Sequence, residues 1–120
     1  MKIISVLLNK GKRVLLPLGD YHRYDFVIDD NSNFIRVQCK TGRIRNDVLL
    51  FKTCSQHCRT HKHKGYKNEI DYLGVYCPEL DKCYLVPVDS VPETEASLRL
   101  NIPKNKQQKD IKWAKDYEIA

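Results

Sequence analysis

The chain has 120 residues, 42% hydrophobic and 30% charged, with a net charge of +6. That length supports one core, so residues 1–120 are expected to form a single domain, and the balance is that of a folded rather than a disordered chain. No apolar run approaches the ~20 residues of a membrane span, and Met1-Lys2-Ile3-Ile4-Ser5 is too short for a signal peptide, so a cytoplasmic protein without a membrane segment is expected.

In chain order, Ile3, Val6, Leu7 and Leu8 ahead of Lys10-Gly11 predict a short amphipathic helix with a glycine C-cap. Residues 12–18, β-branched and leucine-rich, predict a strand stopped by Pro17 and Gly19. Residues 25–29 and 34–41 read as strands separated by Asp30-Asn31-Ser32-Asn33, whose turn chemistry predicts a hairpin. Residues 47–53 form another apolar run, and the His- and Lys-rich stretch 55–68 predicts a surface loop or a poorly covered helix. Residues 70–77 and 82–89 flank Pro78-Glu79-Leu80-Asp81 as a second hairpin, and 98–102 add a short edge strand. Residues 109–119 place Ile111, Ala114 and Trp113 or Tyr117 at helical spacing and predict a terminal helix. The sum is an α/β or α+β domain, a mixed sheet with helices near both termini.

Positive charge is unevenly spread. Between Arg36 and Lys67 lie nine Lys or Arg against one acid, Asp47. A polyanion suits such a stretch, because phosphate neutralisation releases counterions; a solvated face without a partner is the alternative. The five cysteines, Cys39, Cys54, Cys58, Cys77 and Cys83, are odd in number and read as reduced thiols.

Alternation in the first hairpin puts Phe26 and Ile28 on one face with Ile35, Val37 and Cys39, and Asp25, Val27 and Asp29 on the other with Arg36, Gln38 and Lys40. A turn centred on residues 31 and 32 opposes Phe26 to Val37, Ile28 to Ile35 and Asp25 to Gln38. Opposed residues have Cβ atoms roughly 4.5–5.5 Å apart, so Asp25 and Gln38 could hold a small cation between them. A carboxylate, an oxygen donor and a lysine two residues on are what phosphodiester hydrolysis needs: Mg²⁺ lowers the pKa of a bound water, and Lys40 stabilises the charged transition state. The alternative is a cross-strand ion pair between Asp25 and Lys40.

Tyr24-Asp25, followed thirteen residues later by Gln38-Cys39-Lys40, resembles the PD-(D/E)XK nucleases, with Tyr24 at the usual proline and Gln38 at the usual acid. Leu16-Pro17-Leu18-Gly19-Asp20, Arg23-Tyr24-Asp25 and Val37-Gln38-Cys39-Lys40-Thr41-Gly42 are similar to the bacterial group I intron-encoded homing endonucleases of that fold. The likeness continues through Glu69-Ile70-Asp71-Tyr72, Val75-Tyr76-Cys77-Pro78, Tyr84-Leu85-Val86-Pro87-Val88 and Trp113-Ala114-Lys115. The resemblance implies a restriction-endonuclease-like mixed β-sheet with flanking helices, and Mg²⁺-dependent cleavage of double-stranded DNA by a homodimer or homotetramer. It also implies that the Asp25 carboxylate and the Cys39 backbone carbonyl bind metal, with Gln38 at the metal or its waters and Lys40 at the nucleophile. Relatives commonly supply a glutamate from the first helix, which here contains no acid; Asp20 and Asp29 are the candidate substitutes.

Other features carry weaker chemistry. Cys54, Cys58, His61 and His63 form C-x3-C-x2-H-x-H, whose spacing is poor for zinc, and the same loop offers Arg59, Lys62 and Lys64 to phosphates, with Tyr66 beside them. Arg43 and Arg45 leave the Lys40 strand directly and are candidates for DNA contact, or for simple solubility of a turn. Asp71 is a second group near the site or a polar strand end, and Trp113 and Tyr117 are expected in the core. The rival reading is a non-catalytic DNA-binding module, zinc-stabilised in one version; a Holliday junction resolvase-like nuclease is a further alternative.

Overall fold

The computed structural model describes residues 2–19, 22–56, 63–65, 68–92, 94–100 and 112–119. Helix α1 (Lys2–Asn9) buries Ile3 and Leu7 on one face. It ends as the glycine predicts: Gly11 takes φ +79°, the Gly11 N–H donates to the Leu8 carbonyl at 3.0 Å, and the Lys12 N–H reaches the Leu7 carbonyl at 3.1 Å. These two bonds satisfy terminal carbonyls through a left-handed residue that only glycine enters without a Cβ penalty.

Strand β1 (Arg13–Leu15) pairs antiparallel with β2 (Phe26–Asp30), and β2 pairs with β3 (Asn33–Thr41) across the expected turn, where Asn31 takes φ 56°. The partners Phe26↔Val37 and Ile28↔Ile35 are those expected from the alternation. β4 (Arg43–Arg45) and β5 (Val48–Lys52) form a hairpin that is not among the expected elements, with Asn46 at φ 53° and Asp47 at φ 63°. Two consecutive left-handed residues are the signature of a type I′ turn, which Asn and Asp tolerate. The stretch expected as loop or helix instead has paired ends, β6 (Cys54–Gln56) with β7 (His63–Gly65); backbone groups found a ladder there.

β8 (Tyr72–Cys77) and β9 (Lys82–Pro87) form the second hairpin, and β10 (Glu95–Arg99) is an edge strand beginning three residues before the expected one. The terminal helix is a correction. Among the described residues, Ala114–Asp116 is a single 3-10 turn leading into β11 (Glu118–Ile119), which pairs antiparallel with β9. The Leu85 N–H donates to the Tyr117 carbonyl at 2.9 Å, so the sheet edge satisfies the tail's backbone in place of a helix.

The main sheet runs β1-β2-β3-β8-β9-β11, antiparallel except for the parallel pair β3 and β8; a second sheet runs β10-β5-β4. Ile3 and Leu7 of α1 cover Phe26, Ile28, Val37 and Cys83 on one face of the main sheet. The other face packs Leu73, Val75, Tyr84 and Val86 against Leu49, Phe51, Ala96 and Leu98 of the second sheet. This is the expected mixed sheet, flanked by one helix and a second sheet. The two sheets meet at buried Gly42, where an added Cβ would lie 2.7 Å from Leu49 Cδ1 and 3.0 Å from Val75 Cγ1. Gly42→Ala is therefore expected to destabilise by about 1–3 kcal/mol through overpacking, read as a lowered urea midpoint at unchanged m-value.

Candidate active site

The hairpin ladder breaks at Asp25. The Asp25 N–H donates to the Val37 carbonyl at 2.8 Å, one residue short of the Gln38 that continued pairing would oppose to it. The strand therefore slips as at a β-bulge, a feature that re-aims a side chain. The Asp25 carboxylate consequently turns onto β3 and accepts the Cys39 N–H through Oδ2 at 2.7 Å. It stands in for the backbone acceptor that the slip removed, between Gln38 and Lys40 in sequence. Burial first, then the Asp25 charge and its hydrogen bond, push the Cys39 thiol up to about 12. The thiol stays protonated, so the site offers oxygen donors and no thiolate.

Gln38 and Lys40 are half-buried on β3. The Lys40 ammonium donates to the Cys54 carbonyl at 3.1 Å, which ties β3 to the start of β6. β3 is held at its other edge by a second carboxylate: Asp71 Oδ2 accepts the Arg36 N–H at 2.8 Å and the Arg36 Nε at 3.3 Å. The Asp71 N–H returns to the Arg36 carbonyl at 2.9 Å, starting the parallel pairing that continues as Val37↔Tyr72 and Gln38↔Leu73. Asp71 is thus a structural clasp on the strand that carries Gln38 and Lys40. Arg23, two residues before Asp25, is bound to Glu69 at 2.7 Å. A separation of 46 residues hides this pair from any local sequence pattern.

Burial raises the Asp71 pKa, but the side-chain and backbone hydrogen bonds from Arg36, and then its charge, outweigh that and hold it below the usual carboxylate value. A carboxyl depressed by folding contributes stability above its unfolded pKa and loses it as pH falls through the folded one. Urea unfolding at successive pH values below about 4 is expected to show this loss in the wild type and a flatter profile in Asp71→Asn.

The remaining candidates fall in several places. Arg43 and Arg45 are exposed on β4. Lys64 lies in β7, whereas Arg59, Lys62, Tyr66 and the candidate acid Asp20 lie outside the described residues. Asp29 pairs with Arg13 at 3.6 Å, and lying four positions along the chain from Asp25 it sits ~13 Å away, too far to replace a metal ligand. Cys54 is buried with its thiol directed at the Thr94 carbonyl; Cys58 and His61 lie outside the described residues. Among the described residues no group of three or more His, Cys, Asp or Glu could hold a metal. What Asp25, Gln38 and the Cys39 carbonyl offer is a small oxygen set with one carboxylate, which suits a hard cation that keeps waters and takes substrate phosphate.

The chain, with its parallel β3–β8 pair and Asp25 folded back onto β3, belongs to the PD-(D/E)XK endonuclease family, whose model matches residues 1–120. Among solved structures it is similar to a bacterial homing endonuclease, I-Ssp6803I, at 25% sequence identity and a TM-score of 0.66. That likeness covers 98% of this chain and 78% of the other. No curated protein matches it.

Proposed function

We propose that this chain is a single-domain, Mg²⁺-dependent endonuclease that hydrolyses phosphodiester bonds in double-stranded DNA, of the site-specific homing type. The observation that carries the reading is the Asp25 carboxylate turned onto β3 at 2.7 Å from the Cys39 N–H, flanked by Gln38 and Lys40. Family membership and the likeness to a homing endonuclease support it. One chain holds one such site, so cutting both strands calls for a homodimer or homotetramer, and two-fold symmetry suits a pseudo-palindromic target. Four buried or half-buried reduced cysteines, Cys39, Cys54, Cys77 and Cys83, fit the cytoplasm.

Asp25, the Gln38 side-chain oxygen and the Cys39 carbonyl would hold the cation, which when bound supplies Lewis acidity and an acidified water. Lys40 presents an ammonium with three donors; beyond the Cys54 carbonyl it orients the attacking water and stabilises charge on the phosphate oxygens. Arg36–Asp71 and Arg23–Glu69 keep β3 and the Asp25 bulge in place. The test is incubation with supercoiled plasmid, and with intronless target DNA, in Mg²⁺ or chelator. Nicking or linearisation only in Mg²⁺ supports the enzyme; tight binding with intact DNA supports the binding module.

Gln38 gives an asymmetric expectation. A neutral oxygen beside one carboxylate leaves Mg²⁺ weakly held until DNA phosphate completes the charge. Gln38→Glu is expected to tighten Mg²⁺ binding in the protein alone and keep measurable cleavage, despite like-charge repulsion in the metal-free site. Gln38→Ala is expected to raise the Mg²⁺ needed for half-maximal cutting by roughly 10-fold, the lower range for weakening metal support. Cleavage rates titrated against Mg²⁺ decide it, and a Gln38→Ala curve superimposed on wild type removes Gln38 from the site.

A further inference from the structure

The second sheet has two unlike faces. Leu49, Phe51, Ala96 and Leu98 point into the core, so alternation sends their neighbours to the outer side. Three cross-strand rows result there. Arg45, Val48 and Arg99 lie abreast, next to them Arg43, Leu50 and Ser97, and then Lys52 against Glu95. A shallow depression of about 450 Å³ on this face is bordered by Val48, Leu50, Ser97, Arg99 and Lys112. Set against the Lys52–Glu95 pair at 3.3 Å, the face carries four further cations, Arg43, Arg45, Arg99 and Lys112, around an apolar middle.

The same sheet grows out of the candidate active-site strand. Gly42 alone separates β3 from β4, so at roughly 3.3 Å per residue Arg43 and Arg45 stand at most ~10 and ~17 Å along the chain from Lys40. On duplex DNA, with base pairs ~3.4 Å apart, that reach corresponds to about five base pairs. Arginine is the side chain best suited to guanine edges and phosphates, and apolar groups such as Val48 and Leu50 suit the thymine methyl. A twisted antiparallel ribbon like β4–β5 also has the width that a major groove admits.

We infer that the outer face of the β4–β5–β10 sheet is the surface that reads duplex DNA within about five base pairs of the cut, with Arg99 and Lys112 joining Arg43 and Arg45 from the far end of the chain. This rests on the nuclease reading above. Its partner is duplex DNA because the face is positive, apolar at its centre and carried on the strand that follows Lys40 through Gly42.

Binding is measured in an Asp25→Asn background, so that cutting does not intervene, using a mixed-sequence duplex at several salt concentrations. Arg99→Ala and Lys112→Ala are each expected to weaken binding about 10-fold and lower the salt slope by about one per lost phosphate contact. Lys10→Ala and Lys12→Ala, on the helix side, serve as controls and are expected to bind as the parent does. Wild-type affinity and slope in both face variants overturn the inference, as does an equal loss in the controls, which would make the attraction diffuse. Tighter binding to single-stranded RNA than to the duplex overturns it too. Plasmid cleavage by the wild type is scored separately: cutting with unaffected face variants rejects this surface alone, whereas no cutting in Mg²⁺ rejects the nuclease reading.

Discussion

Asp25→Asn is expected to abolish plasmid cleavage while leaving the protein folded. Losing the carboxylate removes several kcal/mol of metal-borne charge stabilisation, and at about 1.4 kcal/mol per tenfold this amounts to a rate loss of ~10³ or more. The amide oxygen of Asn can still accept the Cys39 N–H that Asp25 Oδ2 takes at 2.7 Å, so the bulge and the hairpin are expected to survive, with stability within about 1 kcal/mol of wild type. A second readout needs no metal. Burial is the main reason the Cys39 thiol sits at about 12, but the Asp25 charge and its hydrogen bond add to it, so Asp25→Asn is expected to lower that value. Alkylation of Cys39 at alkaline pH should then be faster in the variant. Unchanged cleavage would remove Asp25 from the chemistry; unchanged alkylation would remove the carboxylate from Cys39.

Lys40→Met is the second large effect. The methionine keeps most of the apolar stem and discards the ammonium, so the change falls on charge rather than packing. Removing one donor aimed at developing charge typically costs 10²–10³ in turnover, and a loss of ~10² is expected here. The Cys54 carbonyl loses the bond it receives at 3.1 Å, worth about 1 kcal/mol of stability, which a urea titration reads separately. DNA binding is expected to persist, because phosphate affinity is spread over many cations. The check is single-turnover cleavage beside a gel-shift titration. Cutting at the wild-type rate would make Lys40 only a tie between β3 and β6.

Much was legible because it is local. The C-cap of α1 follows from Gly11 after a leucine stripe, and the Phe26↔Val37 and Ile28↔Ile35 register follows from a turn of known length between two alternating runs. Asp25, Gln38 and Lys40 are likewise brought near one another by spacing within a single hairpin. The I′ turn at Asn46-Asp47 was legible in principle, since Asn and Asp are the residues that accept left-handed backbone, but the run from residue 47 obscured it. Spacing also misled: Ala114 and Tyr117 stand at a helical interval, yet β9 offers an open edge, and a tail whose backbone is satisfied there needs no helix.

By itself, then, the sequence determined the β2–β3 and β8–β9 hairpins, the register of the first, and the glycine-capped helix, all of which depend on neighbours a few residues apart. Only the tertiary structure decided that β3 lies between β2 and a parallel β8, that Asp71 and Glu69 clasp Arg36 and Arg23, and that Arg99 comes to lie beside Arg43 and Arg45. It also decided that Asp25 meets Cys39 rather than facing Gln38. The physical reason is that these arrangements arise where backbone donors at strand ends must find acceptors, and the nearest acceptor in space is set by how sheets and helix pack, not by distance along the chain.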